Sequence, residues 1–309
     1  MNRSLLKTSK RKGLSLFFMI LPLLIIVFLL SYLPLYGWVY AFFDYKPGLR
    51  LSQCEFVGLK HFLVMFSDPY SAAEVARVLI NTISMSFLGI LTSPLPMIMA
   101  IMLNEVKFKP FKKVVQTLST MPNFISWILV YAVAFAMFSV GDGFVNRLLL
   151  QFNITDTPIN FLASDELVWI KMLLWNTWKT MGWNAIIYIA AISGIDQQLY
   201  EAATVDGANR MHCIWHVTVP SLLSTYFVLL LLSIANFVNS GMEQYYVFQN
   251  AMTKSSIEVL DLYVYNLGII GRNYSFSTAI GILKSVTSIL LLFFANFLSK
   301  TTRNGESII

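Results

Sequence analysis

Long apolar runs with almost no charged residue are the feature that most constrains this chain. Its 309 residues are 57% hydrophobic and only 12% charged, whereas soluble domains carry about 25% charged residues. Because a backbone in lipid must satisfy its own hydrogen bonds, such runs predict membrane-spanning helices. We therefore predict an all-α, polytopic membrane domain over residues 14–300, with spans at about 14–40, 76–103, 114–138, 167–192, 221–239 and 276–298.

The first apolar run follows basic residues, and a secretory signal peptide would begin in the same way. The run is longer than a signal peptide needs, and no small-residue cleavage site occurs before Trp38. We therefore interpret it as an uncleaved helix. Prolines interrupt three of the predicted spans, at Pro22, Pro34, Pro94, Pro96 and Pro122.

The distribution of charge predicts the topology. An arm at residues 1–13 carries Arg3, Lys7, Lys10, Arg11 and Lys12 without an acidic residue, and the loop after the second span carries Lys107, Lys109, Lys112 and Lys113. Because cytoplasmic loops are enriched in lysine and arginine, this side is predicted to be cytoplasmic. Six spans would place both termini there, including a tail at 301–309. The net charge of +6 then reflects membrane topology and lipid contact, and does not indicate a nucleic-acid partner.

A polar loop at 193–220, here named the coupling loop, separates the fourth and fifth predicted spans. Glu201 suits the positive end of a helix dipole, and Gly207 permits a turn between two short helices. Trp215 is an aromatic of the kind that fills interface pockets, and Pro220 suits the first turn of the next helix. Bilayer insertion does not require this order of residue types. The predicted partner-contact residues are Glu201, Ala202, Ala203, Asp206, Gly207, Ala208, Trp215 and Pro220.

The run from Glu201 to Ala208 reads E-A-A-x-x-D-G-A, and the loop ends Val-Thr-Val-Pro at Pro220. This pattern resembles the EAA motif of the permease subunits of type I, binding-protein-dependent ABC importers. Residues 103–106, 122–127 and 262–265 are similar to the LplB/YteP-type oligosaccharide branch of the MalF-like carbohydrate-uptake permeases. One departure is Ser224, where many members have a second proline; we expect it to alter the entry to the fifth span and not the docking.

The resemblance implies a permease subunit with a MetI-like fold of six helices, and not an enzyme. It implies a second homologous permease, two ATP-binding subunits that hold ATP and Mg, and an extracytoplasmic solute-binding lipoprotein. The coupling residues would dock into a cleft on the ATP-binding subunits. The chain itself would hold no cofactor, would reside in a bacterial cytoplasmic membrane and would transport sugars, especially complex oligosaccharides.

The residues themselves give independent support for a sugar. By helical periodicity, Trp175, Asn176, Trp178, Lys179 and Trp183 share one broad face of the fourth span. Aromatic faces suit the C–H faces of sugars, and an amine within a span usually faces a cavity or a partner. The predicted pathway set adds Asn236, Asn239 and Glu243, with Asn184 and Gln244 as further polar groups. The alternative is an interfacial aromatic belt with hydrogen bonds between helices.

The sequence contains no Gly-Lys-Ser/Thr phosphate loop, so a nucleotide site is predicted on another chain. Neither Gly-x-Ser-x-Gly nor His-Glu-x-x-His occurs, and no catalytic residue is predicted. We predict no metal site, because His212 and His216 lack further ligands and Cys54 and Cys213 fall on opposite sides. Two alternatives stay open: a type I permease for a non-sugar solute, and a secondary transporter. The latter would require intramembrane carboxylates or an inverted repeat.

Overall fold

The computed structural model describes residues 16–302 of the chain. The predicted basic arm at 1–13 and residues 303–309 of the predicted tail lie outside this range. Within it the chain is helical, and the extended pairing is limited to one antiparallel bridge between Phe43 and Phe56. The predicted all-α class is confirmed.

The helices are numbered here in chain order. They are α1 (Leu16–Phe42), α2 (Lys60–Ser67), α3 (Pro69–Leu91), α4 (Leu95–Glu105), α5 (Lys109–Thr120), α6 (Trp127–Phe138), α7 (Phe144–Gln151), α8 (Val168–Ser193), α9 (Gln197–Val205), α10 (Arg210–Cys213), α11 (Val219–Ala235), α12 (Glu243–Phe248), α13 (Lys254–Ile257), α14 (Leu260–Tyr265) and α15 (Tyr274–Thr302). A 3-10 turn at Met121–Phe124 follows α5, and a π-helical turn at Ile214–Thr218 joins α10 to α11.

Several helical stretches have the length and apolarity needed to cross a membrane. They are Leu16–Phe42, Pro69–Glu105, Arg210–Ala235 and Tyr274–Phe297, with the bent pair Lys109–Phe124 and Trp127–Phe138 as a further candidate. Helix α8 has 26 residues, about 39 Å at 1.5 Å per residue, which is also long enough. Its lysines and amides make it less apolar than the others. Together these elements occupy the positions of the predicted spans.

The structure differs from the predicted spans where proline interrupts the backbone. The predicted third span, 114–138, is not one straight helix, because the two halves of the bent pair meet at 110° just after Pro122. The predicted second span consists of α3 and α4, with a turn at residues 92–94 that ends in Pro94. A proline cannot donate the backbone hydrogen bond that a continuous helix needs.

The chain forms two compact units. The first comprises the chain up to Ser67 together with Val264–Leu283. In it, the Ser275 hydroxyl donates to the carbonyl of Phe43 (2.6 Å) and accepts from the amide of Tyr45 (3.0 Å). The segment after α1 is therefore attached to the first turn of α15.

The second unit comprises Asp68–Tyr263 and the chain from Lys284. Its core is built around α8, where Ala185 and Tyr188 pack with Ala100 of α4 and Leu222 of α11. Ala100, Ala185 and Leu222 have no solvent exposure. Small side chains at helix contacts allow the backbones to approach closely, so α8 lies in contact with both neighbouring helices.

Candidate functional site

The coupling loop forms two short helices separated by a tight turn. Helix α9 begins at an N-cap, where the Asp196 carboxylate accepts from the amide of Gln198 (3.0 Å). It ends at Val205, and Gly207 then adopts φ of +82°. This left-handed conformation strains any residue with a side chain. The Asn209 side chain accepts from the amide of His212 (2.9 Å) and starts α10.

The coupling loop exposes apolar side chains next to charged ones. Val205 is 88% exposed and Trp215 is 63% exposed. Leu199 and Met211 are also exposed. Glu201 and Asp206, of the predicted contact set, are exposed acids on the same segment. Exposed large apolar side chains grouped on a polar segment mark a surface that a partner covers.

Two hydroxyls, which the sequence interpretation missed, join the ends of the coupling loop. The Tyr200 and Thr218 oxygens lie 2.9 Å apart and form a hydrogen bond across 18 residues of sequence. Thr218 is only 2% exposed and lies at the base of α11. This pair, here named the loop clasp, connects α9 directly to the helix that follows the loop.

No sequence signal would have found the loop clasp. Thr218 lies within the Val-Thr-Val-Pro ending, but nothing local to Tyr200 indicates its partner. The His212 and His216 rings are stacked with centroids 5.2 Å apart, and the His216 Nδ1 lies 3.1 Å from the His212 carbonyl oxygen. That contact is internal to the loop.

A polar cavity of about 360 Å³ lies between α8, α11 and the α3–α4 junction. Its volume falls in the range of small-molecule sites, about 300–1,000 Å³. The polar groups that line it are hydroxyls and amides: Thr92, Ser93, Asn176, Thr177, Thr180, Asn184, Tyr226, Ser233 and Asn236. The described residues that line it include no charged side chain. The cavity can therefore offer neutral hydrogen bonds and no ion pair. Where a hydroxyl already donates to a helix carbonyl, as those of Thr180 and Ser233 do, its oxygen can still accept.

A second, aromatic cavity of about 470 Å³ lies beside the N-terminal half of α8, among Phe138, Phe161, Trp175, Trp178 and Phe248. Trp175 makes edge contacts with Phe138 (6.0 Å) and Trp178 (5.9 Å) between ring centroids. The Lys171 ammonium, at the edge of this cavity, donates to the carbonyls of Phe161 and Ser164. This lining is far more apolar than that of the polar cavity.

The structure divides the predicted pathway residues among several places. Asn176 and Asn236 line the polar cavity, whereas Trp175 and Trp178 line the aromatic one. Asn239 lies beyond α11 and contacts the side chains of Asn236 (3.5 Å) and Ser288 (3.3 Å). Glu243 is exposed at the start of α12. The set therefore does not share one face around a single cavity.

A clearer signal for the polar cavity was available in the sequence. Asn176, Thr180 and Asn184 are spaced four residues apart, which places them on one stripe of a helix. The predicted set of pathway residues was instead centred on the tryptophans and did not include Thr180. Ser93 and Tyr226 were missed because their contact, 3.1 Å between hydroxyl oxygens, joins residues 133 apart in sequence.

Lys179 and Trp183 face the bend between α5 and α6. Lys179 is only 7% exposed. Its Nζ donates to the carbonyls of Pro122 (3.1 Å), Asn123 (2.9 Å) and Ile125 (2.8 Å). A lysine has three donors, so this arrangement leaves none for a solute. The Trp183 ring packs edge-on against Phe124 with centroids 5.5 Å apart.

With this geometry established, the family can be stated. Residues 92–304 match the binding-protein-dependent transport system inner membrane components, and the chain belongs to that family. It is a multi-pass membrane permease subunit of an ABC importer, and it is not an enzyme.

Individual relatives are similar to this chain over almost its whole length. The chain is similar to the polygalacturonan/rhamnogalacturonan transport system permease protein YteP of Bacillus subtilis (strain 168), with 40% identity over 96% of this chain and 91% of that protein. It is 38% identical to Protein LplB of the same organism, over 92% of this chain and 88% of that protein. It also resembles a subunit of a bacterial alginate ABC transporter solved in complex with an alginate pentasaccharide-bound periplasmic protein. That likeness has a TM-score of 0.84 at 32% identity, over 97% of this chain and 98% of the other.

Proposed function

We propose that this permease forms one wall of an oligosaccharide pathway, and that the polar cavity is the part of the wall that contacts the cargo. The observation that carries the proposal is the lining of hydroxyls and amides on α8 and α11. Sugars present many hydroxyl groups, which such a lining can both donate to and accept from. The named cargoes of two relatives, polygalacturonan/rhamnogalacturonan and alginate, are polysaccharides.

The lining also suits transport rather than tight binding. A pathway must bind its cargo strongly enough to admit it and weakly enough to release it. Neutral hydrogen bonds, which contribute about 0.5–1.5 kcal/mol each, can be exchanged one at a time as a chain of sugar rings advances. Stacking of the cargo on Trp175, Trp178 and Trp183 remains a prediction, as do pathway roles for Asn239 and Glu243. A direct contact of Lys179 with the cargo is not proposed, because backbone carbonyls occupy its three donors.

The coupling loop is proposed as the contact with the ATP-binding subunits. Its exposed Val205 and Trp215 provide the apolar surface, with Glu201, Asp206 and Gly207 shaping the elbow. Two such subunits, carrying ATP and Mg, would close on nucleotide binding and move the loop. Three residues separate the end of α8 from the start of α9, so a displacement of α9 would reach the polar cavity through α8.

The remaining parts of the importer are proposed from the same family relationship. A second permease would form the opposite wall of the pathway, and a solute-binding lipoprotein would deliver the cargo from outside. The alginate transporter was solved in complex with an alginate pentasaccharide-bound periplasmic protein. The coupling loop and both termini would then lie on the cytoplasmic side of a bacterial cytoplasmic membrane. Residues 14–300 would form the membrane domain.

Uptake by the assembled importer in proteoliposomes tests the cargo and the cavity together. Labelled uronate-containing and neutral oligosaccharides are compared with amino acids and phosphate. Asn184→Ala in the polar cavity should raise the half-saturation concentration by about two- to tenfold, because one hydrogen bond to the cargo is lost. Asn160→Ala, an exposed asparagine outside both cavities, is the matched control.

Uptake of amino acids or phosphate but not of oligosaccharides would refute the cargo assignment. An unchanged half-saturation for both Asn176→Ala and Asn184→Ala would refute the cavity assignment. In that case Trp175→Ala in the same assay decides whether the aromatic cavity contacts the cargo instead.

A further inference from the structure

The bend between α5 and α6 is held against α8 by hydrogen bonds and by close packing. The chain turns through 110° between Lys109–Phe124 and Trp127–Phe138. Pro122 accounts for an interruption of the helix at this point, but not for what holds the two halves at their angle. Three carbonyls of the turn and the Phe124 ring contact a single neighbouring helix, α8.

The first support is electrostatic. The carbonyls of Pro122, Asn123 and Ile125 lie at the end of a helical segment, which carries the negative end of the helix dipole. The Pro122 carbonyl also accepts a long bond from the Ile125 amide (3.4 Å). The Lys179 ammonium is bonded to all three within 3.1 Å and lies 5.5 Å from the centre of the Trp127 ring. One tethered cation therefore contacts the residues on both sides of the bend.

The second support is steric. Gly182 lies one turn further along α8 and is buried. A Cβ at this position would collide with the backbone of Ser119 and Thr120. The last turn of α5 therefore lies directly on the backbone of α8. Phe124 adds an edge contact with Trp183, so the bend touches α8 through charge, backbone and aromatic groups within five residues.

We propose that this bend is a fixed joint and not a hinge: α5, the bend and α6 move with α8 as one body during transport, and Lys179 is the positioning residue that holds them. Lys179 would thus act on the pathway without lining it. Asn176, Thr180 and Asn184 of the polar cavity lie on a neighbouring stripe of α8, and Lys179 does not line that cavity. The movement itself rests on the proposed transport function, whereas the joint rests only on the contacts described here.

A reversible cross-link tests the fixed joint. Phe124→Cys and Trp183→Cys are combined in a protein whose native Cys54 and Cys213 are replaced by serine, and the pair is joined with a short bifunctional methanethiosulfonate. If the bend and α8 stay together, cross-linked importer should retain at least about half the uptake of the same protein after reduction. A loss to less than about a tenth, restored by reductant, would overturn the proposal because the pair must then separate during transport. Failure to cross-link at all would contradict the contact itself.

Neutralising the lysine tests its role. Lys179→Met keeps a side chain of similar length but removes the ammonium donor that the three carbonyls share. We expect maximal uptake to fall by roughly tenfold or more while half-saturation stays within about twofold. Amide hydrogen exchange across residues 125–130 should accelerate. Lys179→Arg, which keeps the charge and the donors, should restore part of both readouts.

Lys171→Met is the matched control, since Lys171 is also on α8 and also donates to backbone carbonyls, but in the 161–164 loop. It should leave exchange at the bend unchanged. A raised half-saturation for Lys179→Met, with normal maximal uptake and normal exchange at the bend, would assign Lys179 to cargo contact and overturn its positioning role. If Lys179→Met does not assemble, the cross-link alone decides. An importer that moves no oligosaccharide at all would refute the proposed cargo, and the joint would still be tested by amide exchange at the bend and by whether the cross-link forms.

Discussion

Removing the hydroxyl of Tyr200 should loosen the mechanical connection between the coupling loop and α11. In the loop clasp, the Tyr200 and Thr218 oxygens are 2.9 Å apart, and Thr218 is almost fully buried. The other contact of the Thr218 hydroxyl, to the carbonyl of Cys213, is longer at 3.5 Å. Tyr200→Phe therefore removes the stronger partner and leaves the rest of both side chains in place.

The expected loss of coupling follows from the free energy that one hydrogen bond contributes. A net contribution of about 0.5–1.5 kcal/mol corresponds to a change of roughly two- to twelvefold in an equilibrium, at about 1.4 kcal/mol per tenfold. We expect oligosaccharide moved per ATP hydrolysed to fall by that factor. Half-saturation for the cargo should not change, since the polar cavity is untouched.

The assay measures uptake and ATP hydrolysis in the same proteoliposomes. Thr218→Val has nearly the same shape without the hydroxyl, and the double variant should be no worse than the more affected single variant, because both remove one interaction. Thr204→Val is the matched control: its hydroxyl donates to the Tyr200 carbonyl (2.7 Å) within the same helix. A normal transport-to-hydrolysis ratio in Tyr200→Phe, or fully additive losses in the double variant, would refute the clasp.

Two further predictions concern the same loop. Gly207 at φ of +82° has open space around it, so Gly207→Ala should weaken coupling through backbone strain alone, by about 1–2 kcal/mol. Gly207→Asn should be less affected, because asparagine tolerates this conformation better. Equal transport activity in the glycine, alanine and asparagine forms would contradict this prediction. In intact cells lacking the native cysteines, Ser52→Cys should react with an impermeant maleimide and Gln198→Cys should not; labelling of Gln198→Cys from outside would overturn the topology.

Much of the architecture can be predicted from the sequence, because it depends on local chemistry. Apolar runs predict helices in a bilayer, since a spanning backbone must satisfy its own hydrogen bonds. Prolines predict only some of the interruptions: Pro94 and Pro122 lie at breaks, whereas α1 continues through Pro22 and α4 contains Pro96. The coupling loop is equally local: Gly207 provides the turn and Pro220 lies in the first turn of α11.

Only the tertiary structure decides which groups meet around α8. Helical periodicity places Trp175, Asn176 and Lys179 near one another on a wheel, but it does not say which neighbour each direction faces. The structure directs Asn176 to the polar cavity, Trp175 to the aromatic cavity and Lys179 to the bend. Lys179 meets carbonyls more than fifty residues earlier in sequence. A charged side chain within a span requires a partner, and the sequence is enough to predict that Lys179 has one. Whether that partner is a solute or the protein's own backbone is determined by long-range packing.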